Sequence, residues 1–377
     1  MTVLVAFDSF KGSLTASQAC ESFAAGVRSV SSDKVITMPI TDGGDGLIAC
    51  LSPVLMAKGW QLSTAEVTGP YGGRVRADFL IKGEHAVIEM AGACGLTLVE
   101  PDKRSVLEAS SFGLGELIST AVASGAKTLH IGLGGSATND LGLGCMQALG
   151  VELSDQCGNP LHRPFRAKDL LKVASVATDS FMNHYGDLEV IAICDVDNPL
   201  LGVNGATAVF APQKGARAEE LLEMERSMSS AASVLAGHFK KNVSESAGAG
   251  AAGGMGAALK WFFNAKMLQG IEAVLDIIGF DAQLDIADSV ITGEGSFDEQ
   301  SLSGKAPMGV LRRAQSLRKP VTLIAGQILA SDKTLTRLGF QSAYELRSMA
   351  ASATESMNRA AEFLYALGQR WAEHNKI

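Results

Sequence analysis

Four short stretches set acids, glycines and a few cations directly after apolar runs. They are "DSFKGS" (Asp8 to Ser13), "TDGGDG" (Thr41 to Gly46), "GLGGSATND" (Gly132 to Asp140) and "TGEGSFD" (Thr292 to Asp298). A surface turn needs no more than one Gly and one Asp. Two acids among three glycines in "TDGGDG" exceed that need. If the four stretches leave the carboxyl ends of parallel strands, Asp8, Lys11, Asp42, Asp45, Asp140, Glu294 and Asp298 gather on one rim. Acids gathered this way repel unless a cation lies among them. Magnesium suits hard carboxylate ligands, keeps waters and bridges to phosphate. Each Asp alone also reads as a turn former, and it is the convergence of loops that carries the joint reading.

"GLGGSA" (Gly132 to Ala137) fits the dinucleotide fingerprint G-x-G-x-x-[GA], but the next helix is expected only near Asp140. The alternatives are a tight turn and a loop cradling phosphate, with Gly134 and Gly135 baring the backbone and Ser136, Thr138 and Asn139 adding donors. "GAGAAG" (Gly248 to Gly253) is a second formal match with no strand before it. Gly253 and Gly254 lie in the most Gly/Ala-rich stretch, residues 244 to 256, which reads as a mobile connection or as a bare surface for a ligand. A helix after it would aim its N-terminus at an anion. No G-x-x-x-x-G-K-[ST] occurs; "SGKAP" (Ser303 to Pro307) has the Gly-Lys alone. Lys11 is placed to neutralise a transferring phosphoryl group, and Lys305 has similar standing. The planar fork of Arg74 suits a small carboxylate. "CDVDNPLLG" adds Asp195 and Asp197, which matter if a second domain faces the first.

The elements that must hold these loops read clearly. "VLVAF" is a buried strand, followed by a helix from about Thr15 to Val30 with a T-x-x-Q capping box at Thr15 and Gln18. "VITMPI", "TLHIGLGG", "SVITGEG", "VTLIAG" and "SAYEL" are further apolar strands alternating with helices. They predict one doubly wound parallel sheet of six strands. "QLSTAEVTG", "RVRADFLIK" and "HAVIEMA" follow one another without helices and predict an inserted mixed-sheet domain, which "LKVASVA", "DLEVIAICD" and "TAVF" would join. The expected division is 1–65, about 100–135 and 285–377 for the first domain. The second takes about 66–99 and 136–284.

The bulk numbers agree. At about 150 residues per domain, 377 residues suggest two. Hydrophobic residues make up 47% and charged residues 19%, with a net charge of −8. No basic cluster recommends nucleic acid or an anionic membrane. The N-terminal apolar run is too short for a secretion signal, and no segment is long enough to span a bilayer. Six cysteines without a CxxC pair read as reduced core thiols, pointing to the cytoplasm. Six histidines show no zinc-binding spacing.

Taken together, "AFDSFKGSLTA", "ITDGGDG", "TGPYGG", "IEMAGACGL", "SSFGLGELI", "GLGGSATNDLGLG", "CDVDNPLLG", "GAGAAGGMG" and "ITGEGSFDEQSLSGKAP" resemble the bacterial type 1 glycerate kinase family. The likeness runs from about Leu4 to about Gly309. One departure is Leu141, where a glycine would be expected. The resemblance implies a Rossmann-like domain, a second α/β domain and an active site in the cleft between them. It also implies ATP- and magnesium-dependent phosphorylation of D-glycerate, with 2-phosphoglycerate as the usual product.

On that basis Asp42 or Asp195 accepts the hydroxyl proton, and Lys11 balances charge on the γ-phosphate. Asp45, Glu294 and Asp298 hold magnesium, directly or through water. Gly134, Gly135, Ser136, Thr138 and Asn139, with Gly253 and Gly254, hold nucleotide, while Asp8, Ser9, Arg74 and Lys305 meet the substrate. Phosphorylation at the 3-position, a nicotinamide-dependent hydroxyacid dehydrogenase and a sugar-acid sensor remain alternatives. Oligomeric state is open.

Overall fold

The computed structural model describes residues 1–302 and 304–375. Its strands, in chain order, are β1 (Thr2–Phe7), β2 (Lys34–Thr37), β3 (Gln61–Thr68), β4 (Arg74–Lys82), β5 (His85–Glu89), β6 (Thr128–Gly132), β7 (Glu152–Ser154), β8 (Ser175–Ala177), β9 (Glu189–Ile193), β10 (Lys266–Leu268), β11 (Ser289–Phe297), β12 (Val321–Ile328) and β13 (Ser342–Glu345). The chain divides into two compact units. The first holds Met1–Asp42, Ala49–Leu55 and the chain from Gln269 onward; the second holds Gly43–Ile48 and Met56–Leu268.

The first unit is built on a parallel sheet of order β13-β12-β11-β1-β2. Alternate residues of β1 face opposite layers. Val3, Val5 and Phe7 pack with Phe23, Leu364 and Trp371, from helices Ala16–Val30 and Ala360–His374. Helices Phe280–Ile286 and Ala306–Ser316 lie against β1 as well. Each fully buried side chain of this kind contributes about 2 kcal/mol. The expected capping box is present: the Thr15 hydroxyl accepts from the Gln18 amide, and the Gln18 side chain accepts from the Thr15 amide. From β1 the chain winds one way to β2, and from β11 the other way to β12 and β13. The winding therefore reverses between β1 and β11, the place where open parallel sheets bind ligands.

The second unit carries a six-stranded mixed sheet of order β10-β9-β6-β5-β4-β3, antiparallel through β3, β4 and β5 and parallel thereafter. Here the sequence-based expectation needs correction. "TLHIGLGG" supplies β6, which pairs with β5 and β9 and not with β1, so the first sheet has five strands. An apolar run shows burial but not its partner. "LKVASVA" contributes β8 to a separate two-stranded ladder with β7, and "TAVF" lies in helix Ala206–Phe210.

Contacts also place residues 100–135 in the second unit and 269–284 in the first. In the first unit, Arg313 bridges to Glu272, Asp276 and Asp281. A side chain at Gly309 would press on Ile271.

Candidate active site

At the switch point of the first unit, β1 ends in Phe7, whose register partner on β11 is Gly293. Asp8 and Glu294 follow side by side, and Asp298 lies just beyond β11. Asp8, Asp42, Glu294, Asp298, Lys11 and Lys305 line one cavity of about 350 Å³, with Ser9 beside them. Every sequence-derived candidate of this unit therefore lines the same cavity. The part of its wall supplied by the C-terminal segment, which includes Leu346, Arg347 and Met357, carries no motif and was missed. Ser303, from the "SGKAP" stretch, lies outside the described residues.

The acids perturb one another. Burial first, and then the charges of Asp42 and Glu294, raise the Asp8 carboxyl to about 7, against a pull downward from the Ser9 amide at 2.6 Å and from Lys11. Glu294 is buried and also raised, chiefly by burial, with Asp298 and Asp42 adding to it. Its Oε1 has no hydrogen-bond partner among the described residues. A buried carboxylate oxygen left open in this way asks for a cation.

The second unit has its own strand-end cluster. The loop after β6 is tightly held. The Leu96 amide donates to Gly135 O, and the Ala137 amide to Cys94 O, each at 2.8 Å. Asp140 is fully buried and accepts from the Ser111 amide and hydroxyl and from the Gly142 and Gly144 amides. Its role is to staple loops, although burial holds its carboxyl above the usual range.

Lys214 donates to Ser136 Oγ at 2.9 Å and to Thr138 O at 2.7 Å. It is only 2% exposed. Burial lowers its ammonium to about 7, opposed by Asp140. The loop thus has a buried cation that "APQKGAR" did not announce. Thr138 Oγ1 and Asn139 Oδ1 are buried without hydrogen-bond partners among the described residues. Asn139 donates to Thr207.

Glycine bareness here serves backbone packing. A Cβ on Gly134 would press on the Gly44 backbone, and one on Gly135 would coincide with the Asp45 carboxylate. The buried Glu89 accepts from the Gly46 and Ile48 amides, at 2.6 and 3.1 Å, and fixes "TDGGDG" from below. Asp45 therefore sits with the glycine loop in the second unit, whereas Glu294 and Asp298 belong to the first. Among the described residues, no three His, Cys, Asp or Glu side chains form a group able to hold a metal.

Gly253 has φ 69°, and a Cβ there would overlap the Thr138 carbonyl; on Gly254 it would meet Leu141. Close packing is reason enough for both glycines. Asp195 is exposed, two residues past β9, whose Ile193 carbonyl accepts from the Leu133 amide. It thus leaves a strand adjacent to the glycine loop. Arg74 is exposed and engaged by Glu116, Thr68 and the Glu66 carbonyl. A substrate carboxylate would have to displace Glu116.

The helix after the glycine loop, Leu143–Ala148, starts well beyond Gly135. A dinucleotide fingerprint opens its helix directly from the glycines, so "GLGGSA" lacks that context. A family model described as the glycerate kinase family matches residues 3–375. This chain belongs to the glycerate kinase family. A glycerate kinase of Bacillus subtilis (strain 168) is 39% identical over 367 residues, 97% of this chain and 95% of that one. A glycerate 2-kinase of Escherichia coli (strain K12) is 40% identical over 331 residues, 87% and 86% of the two chains. A crystal structure described as glycerate kinase 2 from Salmonella typhimurium LT2 superposes with a TM-score of 0.86 at 36% identity, covering 99% of this chain and 98% of that one. The chain is accordingly a phosphotransferase. Among its described residues, no helix is long and apolar enough to cross a membrane.

Proposed function

We propose that the chain transfers the γ-phosphoryl group of ATP to D-glycerate, giving 2-phosphoglycerate with magnesium as cofactor. The observation that carries the reading is the match to the glycerate kinase family along nearly the whole chain. The 2-position is favoured because the Escherichia coli relative is named a glycerate 2-kinase. Six free cysteines, three of them buried, favour a cytoplasmic setting.

Phosphoryl transfer asks a protein for position and charge more than for covalent chemistry. Lys11 and Lys305, cations in the acid-lined cavity, meet the charge of the transferring group. Magnesium in kinase sites takes one or two carboxylates and fills its remaining positions with phosphate and water. The open Oε1 of Glu294 fits that donor set, with Asp298 beside it. Bound there, the ion would neutralise phosphate charge. Asp42, on the same cavity, or Asp195, beside the glycine loop, accepts the hydroxyl proton. Ser136, Thr138 and Asn139, fixed by Lys214 and Thr207, provide polar groups for an anionic part of a substrate.

Phosphorus NMR of the product formed from D-glycerate and Mg-ATP tests the reading. A 2-phosphoglycerate signal is expected. A 3-phosphoglycerate signal would reassign the position, and no phosphorylated product would end the proposal.

A further inference from the structure

The cavity of the first unit has two unlike walls. One carries Asp8, Asp42, Glu294, Asp298, Lys11 and Lys305 from the strand exits. The other is mostly apolar: Phe10, with Leu346, Ala353, Met357 and Ala360 from the C-terminal segment 346–360, which also brings Arg347 and Ser356 to the cavity. Proton transfer and metal binding make no use of this second wall. It is not closed core either, since Ala353 is exposed and Met357 is 46% exposed.

We propose that this cavity is the nucleoside pocket of the kinase, with the base lying against Phe10, Leu346 and Met357 and the phosphates running toward Lys11 and Lys305. The inference rests on the kinase reading and names which of its two substrates the cavity takes.

Size and chemistry decide between them. Glycerate is a three-carbon anion with almost no apolar surface. About 350 Å³ of space and a wall made mostly of methyl, thioether and phenyl groups would leave it loosely held; Arg347, Lys11 and Lys305 could meet its carboxylate but would leave that apolar wall uncovered. A nucleoside has a flat apolar face for the Met357 thioether and the Phe10 ring. Its polar edge can reach Gln327 and Ser356, which also line the cavity. A triphosphate tolerates the acids because its counter-ion comes with it. The location agrees, since open parallel sheets hold nucleotides where the strand order reverses.

Two variants test this in the full-length chain. Ala353→Trp fills the apolar side from an exposed position, and Met357→Ala strips its thioether. Ala353→Trp is expected to raise the KM for ATP about tenfold or more, and Met357→Ala severalfold. Both should leave the KM for D-glycerate within about twofold of wild type. A rise confined to D-glycerate, or no change in either KM, would overturn the assignment.

Calorimetry with adenosine, which carries no phosphate, decides independently of turnover. Binding to the wild-type chain that is lost in Ala353→Trp supports the pocket. Absence of binding, equal binding to both chains, or displacement by D-glycerate overturns it. If adenosine binds as expected while ATP and D-glycerate give no product, the kinase reading fails and the pocket stands.

Discussion

The Asp8 amide donates to the Gly293 carbonyl at 2.9 Å, so Asp8 and Glu294 leave neighbouring parallel strands at one level. Burial raises the proton affinity of both carboxyls; the charge of Glu294 adds to it at Asp8, and those of Asp298 and Asp42 add to it at Glu294. Glu294→Gln removes one of these charges while keeping the shape. Without divalent ions the variant is expected to be more stable than wild type by about 1 kcal/mol at pH 8, because a buried repulsion is gone. Its kcat/KM should fall about 100-fold or more, because the open Oε1 is lost to the cation. Urea unfolding and steady-state kinetics check the two halves. Unchanged turnover would remove Glu294 from the site.

Lys11 is exposed, whereas Lys214 is buried, and the two should behave oppositely on mutation. Lys11→Ala is expected to leave the melting temperature nearly unchanged, since surface changes seldom exceed about 0.5 kcal/mol. It should lower kcat about 100-fold if its charge meets the transferring phosphoryl group. A variant with normal kcat and only a raised KM would assign Lys11 to ground-state binding instead.

Lys214 gives the fold a pH dependence. Its pKa is lowered on folding to about 7 from the ordinary lysine value of 10.5. Between those values the unfolded chain binds the extra proton, so this group's contribution makes stability rise with pH. Below about pH 7 the folded state carries the full cost of a buried ammonium; near pH 10 it holds a neutral amine with two hydrogen bonds. The wild-type chain is therefore expected to gain a few kcal/mol from pH 6 to pH 9.5 relative to Lys214→Met. Urea unfolding of both chains across that range reads the difference. Parallel pH curves would show that the ammonium is not desolvated.

Much of the first unit was legible in the sequence because its signals are local. The Thr15 and Gln18 cap, the apolar run of β1 and the acids beyond it depend only on neighbours along the chain. Pairing was not legible: β6 carries an apolar signal as β1 does, and nothing in "TLHIG" says that it registers with β5 and β9. Lys214 sits among turn residues, and only the fold brings it to Ser136. Met357 reads as an ordinary helix residue and Leu346 as the end of the strand "SAYEL", yet they complete a cavity begun by Asp8. The bareness of residues 244 to 256, read as mobility or ligand access, arises from backbone meeting backbone at Gly250 and Pro199 and at Gly253 and Thr138.

Leu141 tests the cost of one such junction. It is fully buried, its φ is 57°, and its amide donates to Gly253 O at 3.1 Å. A left-handed backbone costs an L-residue about 1–2 kcal/mol, which glycine does not pay. Removing a buried leucine side chain costs about 3 kcal/mol or more. Burial wins, so both Leu141→Gly and Leu141→Ala should be less stable than wild type. Between the two variants burial is nearly matched, and the backbone term decides. Alanine keeps the strain, while glycine loses it at about 0.5–1 kcal/mol of added chain entropy. The Gly variant is therefore expected to be more stable than the Ala variant by up to about 1 kcal/mol, the reverse of their order in an ordinary helix. Urea midpoints of the two variants measure this directly. An Ala variant more stable than the Gly variant would mean that the left-handed strain at Leu141 is smaller than the chain entropy of glycine.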